Sequence, residues 1–306
     1  MRHLPVLLSE VLDVLQLKSG MRVIDCTLGD AGHSEKILQK IGLNGRLLGI
    51  DADAEAILRS KQYLYDFGER AICVCGNFKN LTEIAHANGF NSADGILADL
   101  GWSTPQFEER GRGFSFAHPA EPLDMRYGAK AADEYETATA ANLLAELSES
   151  EIETIFRVYG EEKFSKEIAR EIILKRKEKE IKTVADLVEI VLTVYRRKLK
   201  STKEIPWVGG IHPATKVFQA LRIAVNKELS VLEEVLPQMV DLLAPGGRLA
   251  VITFHSLEDR IVKHFFKDLQ NKIIKIITKK PIVAMEEELK NNPRARSAKL
   301  RVVEKI

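Results

Sequence analysis

Short apolar runs alternate with amphipathic helical segments through the first third of the chain, and this pattern constrains the fold more than any other feature. The apolar runs lie at 21–27, 46–53, 71–78 and 94–101. Segments with helical spacing of apolar residues separate them. Strands that alternate with helices of this length form βαβ units, which build a parallel sheet with helices on both faces.

Three further strands are predicted toward the C-terminal end of the chain. They correspond to the apolar runs 247–256, 273–280 and 299–306. Only a polar linker with two prolines separates the last two, so no long crossover helix joins them. We therefore predict an α/β, Rossmann-like fold with a seven-stranded, mostly parallel sheet. Its last strand is antiparallel and is expected at the edge of the sheet.

The middle of the chain has a purely helical pattern. No strand is predicted between 132 and 207, and Thr183 with Asp186 resembles a capping box at a helix start. We predict an inserted all-helical domain at 132–207. The α/β domain would then comprise 1–131 and 208–306, with one long helix over 214–243.

The net charge is close to zero over the whole chain but uneven along it. The 45 Lys and Arg balance 44 Asp and Glu, yet residues 163–203 hold 13 basic against 6 acidic residues, and 272–306 hold 10 against 4. Such runs are often solvated helix faces, but two basic segments also suit a polyanion such as RNA. No run approaches the ~20 apolar residues of a membrane span, and the start lacks a signal-peptide pattern. We expect a cytoplasmic protein with no membrane partner.

The cysteines and histidines do not predict a metal site or a disulfide. Cys26, Cys73 and Cys75 lack paired spacing and lie in apolar runs, so we expect three buried thiols. The 7 histidines are scattered along the chain. No metal is expected.

Small residues after the first strand predict an anion-binding turn. Gly29–His33 lets a ligand approach the backbone, and the helix that comes next offers free N–H groups to an anion such as a carboxylate. The G-x-G-x-x-G pyrophosphate pattern is absent. Asp51, at the end of the second strand, can accept hydrogen bonds from ribose hydroxyls. Its alternative role is a helix N-cap, for which Asp53 is a second candidate. Turn and carboxylate together favour an adenosine-containing cofactor.

Other candidate site residues come after later strands. Phe78 can stack on adenine or belong to the core, and Asp99 ends the fourth strand. Trp102 offers a flat face for a base, or packs internally. His255, which comes after the fifth strand, can transfer a proton or contact RNA, or it is simply satisfied at a strand end. No hydrolase triad is indicated by spacing.

Taken in order, these segments resemble the RsmH (MraW) family of ribosomal RNA small-subunit methyltransferases almost from end to end. The matching motifs are His3–Leu8, Asp25–Gly29, Gly32–Ser34, Asp99–Gly101, Arg112–Phe116, Pro122–Arg126, His212–Thr215, Phe218–Asn226, Phe254–Arg260 and Asn292–Arg301. Where the family usually has Gly, this chain has Cys26 and Ala31.

The resemblance implies a class I S-adenosylmethionine-dependent enzyme that methylates N4 of a cytidine in the decoding region of 16S rRNA. The α/β domain would be its methyltransferase domain. The small ribosomal subunit is the implied partner, and a homodimer is an open alternative. The implied cofactor residues are Ala31, Gly32, His33, Asp51, Phe78, Asp99 and Gln106. The proton acceptor is not assigned; His255 and Asp259 are its candidates.

Two other function classes stay open at this point. A small-molecule methyltransferase would use the same cofactor, although the two basic segments argue against it. A non-catalytic RNA-binding or assembly factor would bind RNA without transferring a methyl group. A nicotinamide dehydrogenase is least favoured because the pyrophosphate pattern is missing.

Overall fold

A computed structural model describes residues 4–100, 111–127, 138–200 and 212–306 of the 306-residue chain. By its internal contacts the chain forms two compact units, Met1–Ser103 with Leu229–Ile306, and Thr104–Glu228. We call them the sheet unit and the helical unit. The described residues of 111–127 and 212–228 thus group with the helical unit. The domain bounds derived from the sequence, 132–207 for the insertion, stay a prediction.

All seven predicted strands are present in one sheet. They are β1 Arg22–Asp25, β2 Arg46–Asp51, β3 Ala71–Cys75, β4 Ala93–Asp99, β5 Leu243–Thr253, β6 Ile274–Ile276 and β7 Lys299–Lys305. Their order across the sheet is β3-β2-β1-β4-β5-β7-β6. β1 to β5 are parallel, and β7 pairs antiparallel with both β5 and β6. The predicted fold class and antiparallel last strand are confirmed.

The last strand is not at the edge of the sheet, contrary to the sequence-based expectation. β7 lies between β5 and β6, and β6 forms the edge. The apolar content of β7 agrees with this position, because Leu300, Val302 and Val303 are fully buried. A hairpin-like pair of strands at the end of a chain does not reveal which of the two inserts next to the existing sheet.

Twelve α-helices occur within the described ranges. They are α1 Leu8–Val14, α2 Gly32–Ile41, α3 Ala54–Tyr63, α4 Leu81–Ala87, α5 Ala140–Glu146, α6 Glu149–Val158, α7 Ser165–Lys175, α8 Val184–Leu199, α9 Thr215–Asn226, α10 Glu228–Leu242, α11 Ser256–Leu269 and α12 Glu286–Asn291. The single helix predicted over 214–243 is interrupted at Lys227, which has a left-handed backbone conformation (φ 51°). Of the helices in these ranges, none has the length and apolar character to cross a bilayer.

Alternate residues of the central strands enter two apolar cores, one on each face of the sheet. Ile24 and Leu48 pack with side chains of α4, α10 and α11. Val23 and Leu47 pack with side chains of α1, α2 and α3. A sheet covered on both faces explains why its strands read as continuous apolar runs.

The helical unit has its own apolar core, to which α5, α6, α7, α8 and α9 contribute. Three of its helices begin with a capping box. The predicted one is confirmed, because the Thr183 hydroxyl accepts from Asp186 N and the Asp186 carboxylate accepts from Thr183 N. Thr139 with Asn142 and Ser148 with Glu151 repeat the arrangement.

The prediction of three buried thiols is correct only for Cys26. Cys73 is partly exposed and Cys75 is exposed. Both lie on β3, which forms the edge of the sheet. An edge strand has one neighbour instead of two, so its side chains are less well covered. Cys26, in contrast, directly follows the central strand β1.

Candidate functional site

The order of strands reverses at β1, and the candidate site is built at this point. β2 and β4 pair with opposite sides of β1, and all three run in the same direction. Their carboxyl ends therefore lie at one edge. Ligands of open α/β sheets bind at such a reversal, in the crevice outside the carboxyl ends of the strands.

The turn between β1 and α2 has the unusual backbone that its small residues suggested. Gly29 and Ala31 both have left-handed conformations (φ 52° and 57°), and Ala31 is the fully buried N-cap of α2. A side chain at Gly32 would meet Pro5 at 3.3 Å. Ala31 tolerates a conformation that disfavours larger side chains, so the turn stays close to what a glycine would give.

Asp51 binds this turn directly. Its Oδ2 accepts from Gly29 N at 2.8 Å, and its Oδ1 accepts from Asp53 N at 2.9 Å. Asp53 caps α3, since its carboxylate accepts from Glu55 N. The helix-cap alternative for Asp51 is therefore wrong. A carboxylate oxygen can accept more than one hydrogen bond, so these contacts are compatible with the predicted role of Asp51 as an acceptor for ribose hydroxyls.

His33 is held in a defined tautomer at the start of α2. Its Nε2 donates to the carbonyl of Val6 at 2.9 Å, and its Nδ1 lies 3.8 Å from Asp99 Oδ2. Burial lowers the pKa of His33; the nearby Asp99 carboxylate and the Val6 carbonyl oppose that shift without reversing it. A neutral ring with its proton on Nε2 follows, and Nδ1 faces the Asp99 carboxylate.

Asp99 and Phe78 lie at the same edge of the sheet. The backbone N–H of Asp99 donates to the Thr27 hydroxyl at 2.7 Å, which ties the end of β4 to the end of β1. Phe78 begins a short 3₁₀ turn after β3 and packs partly against the core that contains Leu81. Gln106 and Trp102 lie outside the described residues.

Several supporting residues were not identified from the sequence as site residues. The buried Asp25 accepts from Ser34 Oγ at 2.7 Å and from Thr27 N at 3.1 Å, so one carboxylate joins the two ends of the turn. Burial raises the pKa of Asp25, and these hydrogen bonds limit the rise. The only sequence signal was its position at the end of a strand in one of the family motifs.

The turn is also fixed from α3. Arg59 Nε donates to the buried Asp30 carboxylate at 2.8 Å, and Ser60 Oγ donates to the carbonyl of Gly29 at 2.6 Å. Both donors come from the helix that connects β2 to β3. Because Arg59 and Ser60 are far from the turn along the chain, no local sequence pattern indicated these contacts.

His255 and Asp259, the candidate proton acceptors, lie at the start of α11 after β5. His255 is its N-cap: Nδ1 accepts from Glu258 N at 3.4 Å, and Nε2 lies 3.2 Å from Glu258 Oε1. Asp259 accepts from Arg301 at 2.7 and 3.2 Å and lies 3.4 Å from Lys299 Nζ.

The surroundings of Asp259 make it less basic. Burial alone would raise the pKa of Asp259, but the hydrogen bonds and positive charges of Arg301 and Lys299 outweigh it and lower that pKa. A carboxylate that is already neutralised by two cations is a poor proton acceptor. The geometry therefore favours His255 of the pair, and both assignments stay predictions.

Comparison with known proteins adds independent evidence about the function. A model of the MraW methylase family matches residues 1–306. Two relatives have the name ribosomal RNA small subunit methyltransferase H. The protein of Dictyoglomus thermophilum is 45% identical over 99% of this chain and 96% of its own length. That of Carboxydothermus hydrogenoformans is 42% identical over 99% of this chain and 98% of its own length.

A crystal structure of an rRNA methylase from Streptococcus thermophilus has a TM-score of 0.43 and 11% identity, over 98% of this chain and 92% of that chain. Likeness at that level supports no conclusion about this chain. The whole-chain family match and the two sequence relatives do. The chain belongs to the MraW methylase family, which confirms the predicted family, the predicted methyltransferase activity and S-adenosylmethionine as the predicted cofactor.

Proposed function

We propose that this chain transfers a methyl group from S-adenosylmethionine to the exocyclic N4 of a cytidine in the decoding region (the P site) of 16S rRNA, in the small ribosomal subunit. The observation that carries the proposal is the pair of relatives named for small-subunit rRNA methylation, which match 99% of this chain. The cytidine N4 and its location follow from the family resemblance of the sequence motifs. The site of action would be the cytoplasm.

The residues at the strand ends fit the parts of the cofactor. Asp51 offers acceptors for the ribose hydroxyls, and it is kept in place by Gly29 N and Asp53 N. The first turn of α2, behind Ala31, offers N–H groups to the amino-acid carboxylate. Gly32 keeps Pro5 close to that turn, since a side chain there would contact it at 3.3 Å. Phe78 would pack on the adenine and Gln106 would add a further contact, as the resemblance to the family implies.

The role of the protein in this reaction is mainly alignment. The sulfonium of the bound cofactor supplies an already activated methyl group. The chain must then hold the cytidine amine in line with it, and such positioning contributes about 7–11 kcal/mol to lowering the barrier. The target base has to leave its stack, or be unpaired already, to reach the strand ends. Asp25, Thr27 and Arg59, through their hydrogen bonds, keep the turn rigid enough for this alignment.

The amine must also lose a proton. Its lone pair is delocalised into the ring, so an acceptor near the N–H would raise its electron density during attack and take the proton afterwards. His255 is the candidate with an imidazole nitrogen at the carboxyl end of β5, where its Nε2 lies near Glu258. His33 is less suited, because its Nε2 proton is already donated to the carbonyl of Val6.

Methylation in vitro tests the proposal. The purified chain would be incubated with labelled S-adenosylmethionine and either naked 16S rRNA or small subunits from cells lacking the enzyme. Mass spectrometry of the RNA should find one methyl group on N4 of one decoding-region cytidine. Labelling of a different base, or of a free nucleoside in preference to RNA, would contradict it and favour a small-molecule or different RNA methyltransferase. RNA binding with no transfer at all would favour an assembly factor.

A further inference from the structure

The segment before β7 lies at the carboxyl ends of the parallel strands, as does the candidate cofactor site. Pro293–Ser297 forms a short 3₁₀ turn that leads into β7. The register pairs Lys299, the first residue of β7, with Thr253, the last residue of β5. Because β5 is parallel to β1, β2 and β4, the turn lies at the carboxyl ends of the strands.

The turn is fixed to residues that border the cofactor turn. Ala295 and Ala298 are each 1% exposed and belong to the same apolar cluster as Ala31. Asn292 Nδ2 donates to the carbonyl of Leu4 at 3.3 Å. The segment that begins at Leu4 also contains Val6, whose carbonyl accepts from His33. Contacts thus run without a break from the turn to the start of α2.

A second hydrogen bond fastens the same N-terminal segment. Leu7 N donates to Glu288 Oε1 at 2.8 Å, which joins it to α12 immediately before the turn. The backbone of the turn therefore has a defined position relative to the cofactor turn. That is the property required of a group that positions a substrate.

The charge of this stretch is strongly one-sided. Residues 289–303 contain five Lys and Arg and no Asp or Glu. Asp259 of α11 interacts with two of them, Lys299 and Arg301. Arg296 is exposed on the turn, and Arg294 beside it is partly buried. Acidic residues flank this stretch on both sides: 286–288 on α12, where Glu288 accepts from Leu7 N, and Glu304, which pairs with Arg248.

We propose that Arg296, with Arg294 beside it, binds backbone phosphates of the RNA strand that carries the target nucleotide. The inference rests on the proposed function and assigns part of its RNA-binding surface. A guanidinium matches the geometry of phosphate and is permanently charged. Phosphate contacts fix the register of a strand without reading its sequence. At this edge they hold the backbone on either side of a base that enters the site.

Single substitutions that remove one charge each provide the test. R296Q removes the guanidinium from the turn, and R296K keeps a positive charge. K272Q is the matched control. Lys272 is an exposed cation of the same basic segment, but it precedes β6 and lies at the amino ends of the parallel strands, opposite to the candidate site. Binding would be measured from about 50 to about 200 mM salt. The probes are naked 16S rRNA and small subunits from cells lacking the enzyme.

We expect R296Q to weaken RNA binding about five- to tenfold at ~0.1 M salt and to reduce the slope of log affinity against log salt by ~0.7–0.9. R296K should retain the wild-type slope, and K272Q should bind as wild type. The affinity for S-adenosylmethionine should be equal in all four proteins, since the turn is argued to contact RNA and not the cofactor.

Three outcomes would overturn the inference, and one of them also tests the proposed function. Equal RNA binding by R296Q and K272Q, with wild-type methylation intact, would remove Arg296 from the RNA surface and leave the function standing. Loss of cofactor affinity in R296Q would mean that the turn acts through the structure of the site. Failure of the wild-type protein to bind or methylate either RNA would contradict the proposed function itself.

Discussion

At the scale of single residues, the carboxylates of Asp51 and Asp30 each take part in hydrogen bonds that fix the turn before α2. Asp51 accepts a hydrogen bond from Gly29 N, and Asp30 accepts one from Arg59 Nε. Of the two, only Asp51 is proposed to bind the ribose. The two carboxylates should therefore respond differently to substitution, one in cofactor affinity and the other in stability.

Replacement of Asp51 by Ala should weaken S-adenosylmethionine binding by roughly 1–3 kcal/mol, because the ribose loses its acceptor and the turn loses a hydrogen bond. Isothermal titration calorimetry measures this directly. Asp53→Ala is the matched control: it removes the cap of α3 next to Asp51 but no predicted ribose contact. Wild-type affinity in the Asp51 variant would remove that residue from the site.

Replacement of Arg59 by Gln should lower the free energy of unfolding by about 1–3 kcal/mol, because the buried Asp30 carboxylate loses its charged donor. Urea denaturation of Arg59→Gln, Asp30→Asn and the double variant measures the coupling. The double variant should be more stable than the sum of the single changes predicts. Strict additivity would show that the two side chains do not stabilise each other.

At the scale of secondary-structure elements, three helices of the helical unit begin with capping boxes. At the start of α8, the Asp186 carboxylate accepts from Thr183, Lys182 and Lys179. Partial burial opposes ionisation of Asp186, but these hydrogen bonds outweigh it and lower the pKa to about 2. A carboxyl group with a depressed pKa stabilises the folded state above its unfolded pKa. That contribution is lost as the pH falls from about 4 toward 2.

Thr183→Ala removes the hydroxyl of this cap and should cost about 1 kcal/mol of stability. Asp186→Asn should abolish the pH-dependent part of the contribution between about pH 4 and pH 2. Thermal unfolding followed by circular dichroism at several pH values checks both. Thr193→Ala is a control, because its hydroxyl lies on the exposed side of the same helix and bonds only Glu189 among the described contacts. Equal losses in both threonine variants would argue against the cap.

At the scale of the whole molecule, the end of the chain completes the sheet from within. β7 lies between β5 and β6, and its residues 300–303 are buried. The ion pair between Arg301 and Asp259 also connects this strand to α11. The last residues are therefore part of the core of the sheet unit and not a detachable tail.

Truncation after Ala298 should leave the sheet unit unable to fold, since β6 would lose the strand it pairs with, β5 would lose one of its two neighbours, and apolar surface would be exposed. Circular dichroism and gel filtration should report an aggregated or unfolded product. Removal of Ile306 alone is the control, because its side chain is 67% exposed. A soluble, cooperatively folded truncation product would contradict the central role of β7.

The sequence by itself determined the seven strands, their largely parallel arrangement and the helical character of the insertion. These follow from local patterns, because a short continuous apolar run and a 3.6-residue apolar period can both be recognised within a short stretch of the chain. The family motifs also predicted which strand ends carry the cofactor residues. Asp51 and the Gly29–His33 turn, both predicted from their position after a strand, are in direct contact in the structure.

Only the tertiary structure decided which distant residues meet. The insertion of β7 between β5 and β6, the exposure of Cys75 on an edge strand, and the link from Arg59 to Asp30 all depend on neighbours far apart in the chain. The placement of Arg296 at the cofactor edge likewise follows from the antiparallel direction of β7. Local periodicity has no information on such pairings, because they arise from how the strands and helices pack against one another.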